Sequence, residues 1–235
     1  MQTALPLKNT MNTSAGKLRR VNQQFANFVP ESVKRLIASN PEAPELGLRD
    51  CDVSVLFLDI SGYSRLSQQM SPRVLTTLVE RYFSIFLDCI YAADGDINEI
   101  AGDGFMAIFQ DVRSEVHAVR AVDTAFTLLA ATQALNRASQ AQPLDVHMGI
   151  NSGLALLGLN RLEGRDGTRW TFTARGPMTN LAARLADLAT PGQILAGPET
   201  VRRLGNCYRI QNLGAEQLKN LAEPVAVYCL LGHTG

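Results

Sequence analysis

The chain has 235 residues, 46% of them hydrophobic and 19% charged, with equal numbers of basic and acidic side chains. This composition is typical of one globular domain, and the zero net charge argues against a nucleic-acid binder, whose affinity depends on accumulated Lys and Arg. No apolar run approaches the roughly 18 residues of a membrane-spanning helix. The four cysteines lack the spacing of a zinc site, so we expect them to be reduced thiols in a cytoplasmic protein.

The N-terminal part is predicted to lie outside the main domain. Residues 1–16 are polar and predicted to be disordered, whereas residues 17–40 carry apolar side chains at roughly helical spacing, interrupted by Pro30. A Pro- and Glu-containing linker follows. We therefore expect a tail, helical segment and linker over residues 1–48 and the main domain over residues 49–235.

The main domain alternates strand and helix patterns, which predicts an α/β sheet fold. Strands are predicted at residues 52–60, 96–101, 105–109, 144–151, 155–159, 170–175, 193–196, 208–213 and 225–230. Helices are predicted to open at Ser71-Pro72 and to cover residues 114–140, 178–188 and 198–204. The first part therefore has the order β-α-β-β-α.

Two carboxylates stand in matching positions beside apolar strands. Asp59 ends the run Val55-Leu-Phe-Leu, and Asp103 lies in the turn before Phe105. Either residue alone is more typical of an Asp that stabilises a turn. Because the two contexts match, we predict that they meet at neighbouring strand ends and bind divalent metal, as phosphoryl transfer requires.

Two further features are weak alone and gain meaning beside the carboxylates. The segment Ile60-Ser61-Gly62-Tyr63-Ser64 combines a glycine with small hydroxyls before a helix, where backbone N–H groups could cradle a triphosphate. Asn180 and Arg184 lie four residues apart on a predicted helix, so both side chains point from one face. An amide and a cation at that spacing are otherwise usually solvated surface residues.

Three ordered motifs resemble those of the catalytic domain of class III nucleotidyl cyclases. They are Phe57-Leu-Asp-Ile-Ser-Gly-Tyr-Ser64, Glu99-Ile-Ala-Gly-Asp103 and Asn180-Leu-Ala-Ala-Arg184. The resemblance covers about residues 49–232, and three motifs at compatible spacing are far more specific than one. It implies a ferredoxin-like βαββαβ core and a head-to-tail homodimer with two active sites across the subunit interface.

The resemblance also implies roles for individual residues. Asp59 and Asp103 of one subunit would hold two Mg²⁺ or Mn²⁺ ions, with the Ile60 carbonyl as an additional ligand. Asn180 and Arg184 would come from the partner, to orient the ribose and to stabilise charge on the α-phosphate during attack by the 3′-hydroxyl. The implied products are a 3′,5′-cyclic mononucleotide and pyrophosphate.

The base-facing positions of the family match Glu99 and Thr173. An ionised Glu99 only accepts hydrogen bonds, so it suits the N1–H and 2-amino group of guanine and favours GTP over ATP. Thr173 can donate or accept and decides little, while Arg175, two residues on, could donate to a base carbonyl. Lys219 resembles a lysine that contacts the terminal phosphate, although Asn220 stands where a glycine is expected.

Other readings stay open on the sequence alone. Glu99 also tolerates uracil or cytosine, and the short chain is similar in size to stand-alone pyrimidine cyclases that make cyclic UMP or cyclic CMP in anti-phage defence. A diguanylate cyclase shares the metal-binding hairpin, but the Asn180 and Arg184 pair argues against it. A third alternative is a catalytically inactive cyclase domain that binds nucleotide or dimerises.

Overall fold

A computed structural model describes most of the chain. The described residues are 8–26, 28–42, 47–139, 142–165 and 167–234. The chain divides into two compact units, Met1–Leu46 and Gly47–Gly235. Within the described ranges, no helix combines the length and apolar character needed to cross a membrane.

The first unit contains two helices, α1 (Lys8–Ala26) and α2 (Glu31–Ser39). The prediction of disorder over residues 1–16 is wrong from Lys8 onward, and residues 1–7 lie outside the described part. Once the amphipathic part after residue 17 forms helix, extending it costs little because nucleation is the expensive step. Pro30 separates the two helices, as predicted, since proline cannot donate a helical hydrogen bond.

The second unit is built on an eight-stranded sheet in the order β2-β3-β1-β4-β6-β8-β7, with β5 paired to β4. The strands are β1 (Arg49–Ile60), β2 (Gly95–Ala101), β3 (Gly104–Gln110), β4 (Val146–Gly164), β5 (Gly167–Arg175), β6 (Ile194–Ala196), β7 (Tyr208–Glu216) and β8 (Val225–His233). The helices of this unit are α3 (Tyr63–Gln69), α4 (Pro72–Ala92), α5 (Ser114–Ala138), α6 (Pro177–Leu188) and α7 (Pro198–Leu204).

The order β1-α4-β2-β3-α5-β4, with antiparallel neighbours β2-β3-β1-β4, confirms the ferredoxin-like βαββαβ core. Two details differ from the sequence prediction. Helix α3 was not predicted, and the two strands predicted at 144–151 and 155–159 form the single strand β4. Gly153, which lies between the two predicted strands, continues the pairing opposite Val53 with φ of 144°.

Strand β1 presents different side chains to the two faces of the sheet, because successive residues of a strand alternate. Leu56, Leu58 and Ile60 join the large core that also contains residues of α4 and α5. Phe57 and Asp59 therefore point to the opposite face, where α6 packs against β1 and β4. The apolar core positions the strand, and the other face is left for the site.

Helix α5 carries a histidine on its buried face. His117 is fully buried, its Nδ1 forms a 2.8 Å hydrogen bond with the Ser54 hydroxyl, and its Nε2 accepts from Arg203 Nη1 at 3.3 Å. Since Arg203 only donates, the ring proton sits on Nδ1. Burial lowers the pKa of His117, so the ring is a neutral link between α5, β1 and α7.

The hairpin of β4 and β5 exposes apolar side chains. Trp170 is 48% exposed, with the Arg161 guanidinium 5.5 Å from the ring centre. Leu154 is 70% and Leu162 is 55% exposed. These side chains therefore lie outside the core of this chain.

Candidate active site

The structure brings Asp59 and Asp103 together at one end of the sheet. Asp59 lies directly opposite Gly104 in the β1–β3 pairing, and the Ile60 N–H donates to the Asp103 carbonyl at 2.9 Å. The tight turn between β2 and β3 thus holds Asp103 beside the end of β1. Strand β1 and the turn between β2 and β3, which are distant in sequence, each place one aspartate at this end of the sheet.

Gly104 makes room for the Asp59 carboxylate. A Cβ added to Gly104 would lie 1.8 Å from Asp59 Oδ1 and 2.6 Å from the Leu58 carbonyl oxygen. Only the absence of a side chain at this position lets the carboxylate occupy its place against β3. Asp59 also lines a cavity of about 260 Å³, together with residues of β1, β3 and α6.

Hydrogen bonds to β4 and to the loop residue before it hold the segment after Asp59. The Ser61 N–H donates to the Asp145 carbonyl at 2.8 Å, and the Ser61 hydroxyl shares a 2.9 Å hydrogen bond with His147 Nδ1. Gly62 has φ of 71° and precedes Tyr63, the first residue of α3. The segment therefore ends in the first turn of a helix, where N–H groups lack intrahelical partners.

Burial raises the pKa of the Asp59 carboxyl above its usual range; Asp103 and Asp187 raise it further, and His147 opposes them. A buried carboxylate near two others is costly to ionise without a compensating cation. Only the ionised form of a carboxyl group can ligate a cation, so protons would compete with a metal ion for this predicted ligand.

This raised pKa predicts that Asp59→Asn stabilises the metal-free protein. When the pKa of a carboxyl group is higher in the folded than in the unfolded protein, its contribution to stability is fully present below the unfolded pKa. That contribution is lost as pH rises through the folded pKa, where the group ionises. In EDTA at pH 8 we expect the Tm of Asp59→Asn to exceed that of the wild type by about 2 °C or more. The difference should shrink in a pH series toward pH 4.

Added Mn²⁺ provides the control for this prediction. A cation that binds only the folded wild type stabilises it by mass action, so Mn²⁺ should raise the wild-type Tm and leave Asp59→Asn nearly unchanged. A wild-type protein that is more stable than Asp59→Asn in EDTA at pH 8 would contradict a destabilising carboxylate at this position.

Helix α6 carries Asn180 and Arg184 on its outward side. Its inward side is buried, and a Cβ on Gly149 of β4 would lie 2.2 Å from the Ala186 nitrogen, so the helix backbone rests directly on the strand. Asn180 is exposed. Arg184 Nη1 donates to Asp187 Oδ2 at 2.7 Å. Neither Asn180 nor Arg184 lines the cavity that contains Asp59.

The expected base-facing residues lie on β2 and β5. Glu99 pairs with Met106 just after a register shift in β2, and its side chain lies outside the described part. Thr173 is half-buried and Arg175 is exposed. Both belong to the strand face opposite the buried Phe172, so they share one side of β5, as expected for residues two apart.

Lys219 lies in the turn between β7 and β8 and is exposed. Asn220 follows it with φ of 63°. This left-handed conformation is the one that glycine adopts most readily and that asparagine tolerates better than other residues. The asparagine therefore keeps the backbone conformation that a glycine at this position would provide.

Sequence reasoning missed two residues of this region. His147 lies opposite Asp59 in the β1–β4 pairing and contacts Ser61, which no local pattern could reveal. Asp187 lines the Asp59 cavity and binds Arg184. Its spacing of seven residues from Asn180 places it on the same helix face, so that signal was present in the sequence.

Comparisons with known proteins find similar sequences and similar folds. The family model for the adenylate and guanylate cyclase catalytic domain matches residues 49–232. Adenylate cyclase 1 of Rhizobium meliloti (strain 1021) is 26% identical over 235 residues, which cover 95% of this chain and 34% of that protein. The chain thus spans about a third of the length of this relative.

Solved structures of similar fold include both adenylyl and guanylyl enzymes. The adenylyl cyclase CyaB from P. aeruginosa superimposes with a TM-score of 0.71 and 25% identity, covering 79% of this chain and 96% of that one. The guanylyl cyclase Cya2 gives 0.70 and 24%, covering 80% and 95%. The fold is therefore common to enzymes acting on either purine.

Proposed function

Because the chain belongs to the family of adenylate and guanylate cyclase catalytic domains, we propose that it converts a nucleoside triphosphate into a 3′,5′-cyclic nucleotide and pyrophosphate. One observation carries this proposal: Asp59 and Asp103 meet at the ends of neighbouring strands, beside a segment that presents backbone N–H groups. In this reaction the 3′-oxygen bonds to the α-phosphorus, its proton leaves, and pyrophosphate departs.

The residues at the strand ends fit divalent cations. The donors are carboxylate oxygens and the Ile60 carbonyl, the ligands that Mg²⁺ and Mn²⁺ favour, and Gly104 leaves the space that the Asp59 carboxylate occupies. Among the described residues, no group of three or more His, Cys, Asp or Glu could hold a metal ion by itself. Such a site suits ions whose remaining coordination positions are filled by oxygens of the substrate phosphates. Bound cations would neutralise phosphate charge and acidify the 3′-hydroxyl.

The remaining groups act on the substrate itself. The N–H groups of Gly62, Tyr63 and Ser64 bind the triphosphate, the Asn180 amide orients the ribose, and Arg184 donates to the α-phosphate as charge builds there. Asn180 and Arg184 do not line the cavity of their own Asp59, which supports assigning them to the site of a partner subunit. A homodimer then contains two complete sites.

This arrangement predicts complementation between two inactive variants. Asp59→Ala and Arg184→Ala should each lose at least about 100-fold in turnover. A mixed dimer, co-expressed with two different tags and purified by both, should recover about half of the wild-type turnover, because one of its two sites is intact.

The control is the same purification with Asp59→Ala on both subunits. This dimer should stay inactive, since neither site has its metal ligands. A mixed dimer that is pure yet inactive would place Arg184 and Asp59 in the same subunit's site and contradict the shared arrangement.

We assign GTP as the preferred purine because Glu99, as a carboxylate, accepts hydrogen bonds that guanine donates and adenine N1 cannot. Glu99→Lys reverses that chemistry by placing a donor at the same position. The ratio of kcat/KM for ATP to that for GTP should then rise by at least about tenfold. Glu99→Gln, which can donate and accept, is the matched control and should give a smaller change. An unchanged ratio would remove Glu99 from base recognition.

The experiment that tests the proposal measures turnover with Mn²⁺ and each of ATP, GTP, CTP and UTP, with products identified by mass and Asp59→Ala as the blank. We expect a cyclic nucleotide with GTP. Preference for UTP or CTP would replace the purine assignment with a pyrimidine cyclase. Absence of any product that depends on Asp59 would overturn the cyclase assignment and favour a binding module.

A further inference from the structure

Asp187 is an acidic residue on the same outward face of α6 as Asn180 and Arg184. Its Oδ2 accepts from Arg184 Nη1 at 2.7 Å. An arginine has five N–H donors, so this contact leaves most of the guanidinium free while fixing its orientation. A charge-assisted hydrogen bond of this length is among the stronger side-chain contacts.

The contact has little value for stability. The Arg184 and Asp187 side chains are 32% and 58% exposed, and solvent-exposed ion pairs of this kind contribute little to the free energy of unfolding. An arginine side chain without such a partner samples many rotamers. A reaction that needs the guanidinium charge at one place is faster when those rotamers are restricted.

Asp187 has a second contact region. Together with Ala183 of α6 it lines the cavity of about 260 Å³ that contains Asp59 and Phe57. The Asp187 carboxylate therefore contacts Arg184 and also borders the cavity of Asp59. Either of these neighbours could be the one through which it acts.

We propose that Asp187 is a positioning residue, which holds the guanidinium of Arg184 so that its free N–H donors meet the α-phosphate in the partner's site. The proposal rests on the proposed cyclase function. It assigns Asp187 to Arg184 rather than to Asp59, because the 2.7 Å hydrogen bond fixes a direction, whereas lining the cavity does not.

The test uses mixed dimers, in which each active site can be altered separately. In the first, an Asp59→Ala/Asp187→Asn subunit is paired with an Arg184→Ala subunit, so the single intact site has the substitution beside its working Arg184. In the second, an Asp59→Ala subunit is paired with an Arg184→Ala/Asp187→Asn subunit, so the substitution lies beside the working Asp59. The mixed dimer without Asp187→Asn is the reference.

We expect kcat of the first mixed dimer to fall about tenfold below the reference, with KM changed less, and the second to match the reference. Asp187→Glu in the first arrangement should restore part of the loss, and the Tm of the Asp187→Asn homodimer should stay near that of the wild type. Loss in the second dimer alone, or equal loss in both, would overturn the proposal. Unchanged or higher activity in the first would also overturn it, since the contact would then be dispensable or inhibitory.

The reference dimer separates this proposal from the proposed function. If the wild type lacks turnover, the cyclase assignment fails and the role of Asp187 fails with it. If the reference dimer is active and the first dimer is equally active, only the role of Asp187 is rejected.

Discussion

Gly149→Ala should push α6 away from the sheet, lower the free energy of unfolding by about 1–3 kcal/mol and reduce cyclase turnover about 100-fold. The added Cβ would lie 2.2 Å from the Ala186 nitrogen, 2.3 Å from the Ala182 carbonyl oxygen and 2.7 Å from the Leu185 carbonyl carbon. All three atoms belong to the helix backbone, so no side chain can turn aside to relieve the contact.

The loss of turnover follows from what α6 carries. The helix holds Asn180 and Arg184, and a displacement of about 1 Å is enough to cost a positioned catalytic group most of its effect. Denaturant unfolding and turnover with GTP and Mn²⁺ measure the two consequences separately. Gly149 does not have a left-handed φ, so the effect is purely steric.

Gly164→Ala is the matched control, because Gly164 lies on the same strand β4 and its added Cβ would meet only the Gly167 carbonyl oxygen, at an ordinary 3.5 Å. We expect this variant to unfold and turn over like the wild type. If Gly149→Ala behaved like Gly164→Ala, the close packing of α6 on β4 would not be what positions its polar face.

Local patterns predicted the parts of the site that depend on local geometry. Asp103 lies in a tight turn between two adjacent strands, and its matching context with Asp59 indicated that the two would meet. Helical spacing likewise placed Asn180 and Arg184 on one face of α6. These predictions needed only the helical period of α6 and the short turn between β2 and β3.

The parts that were missed depend on pairing between distant segments. His147 lies opposite Asp59 only because β4 pairs with β1 in one register, and no local feature of either strand sets that register. The buried position of His117 was missed because α5 also buries Thr124 and Thr132, so its polar residues do not mark an exposed face. Buried polar networks of this kind are specified by their hydrogen bonds rather than by hydropathy.

Gly104→Ala should lower turnover about 100-fold, while the protein still folds. The added Cβ would lie 1.8 Å from Asp59 Oδ1, and the carboxylate can rotate away more easily than the backbone can move. Rotation relieves that clash but moves the carboxylate that we propose binds metal, so the response of Tm to Mn²⁺ should weaken together with activity.

The double variant Asp59→Ala/Gly104→Ala separates this steric effect from a general distortion of β3. Removing the carboxylate removes the 1.8 Å contact, so the double variant should be more stable than Gly104→Ala alone, and the two substitutions should be strongly non-additive in activity. The 2.6 Å approach to the Leu58 carbonyl oxygen remains in both, which keeps some loss of stability. Turnover of Gly104→Ala near that of the wild type would show that Asp59 can bind cations from another rotamer. The absence of a side chain at residue 104 would then not be required for catalysis.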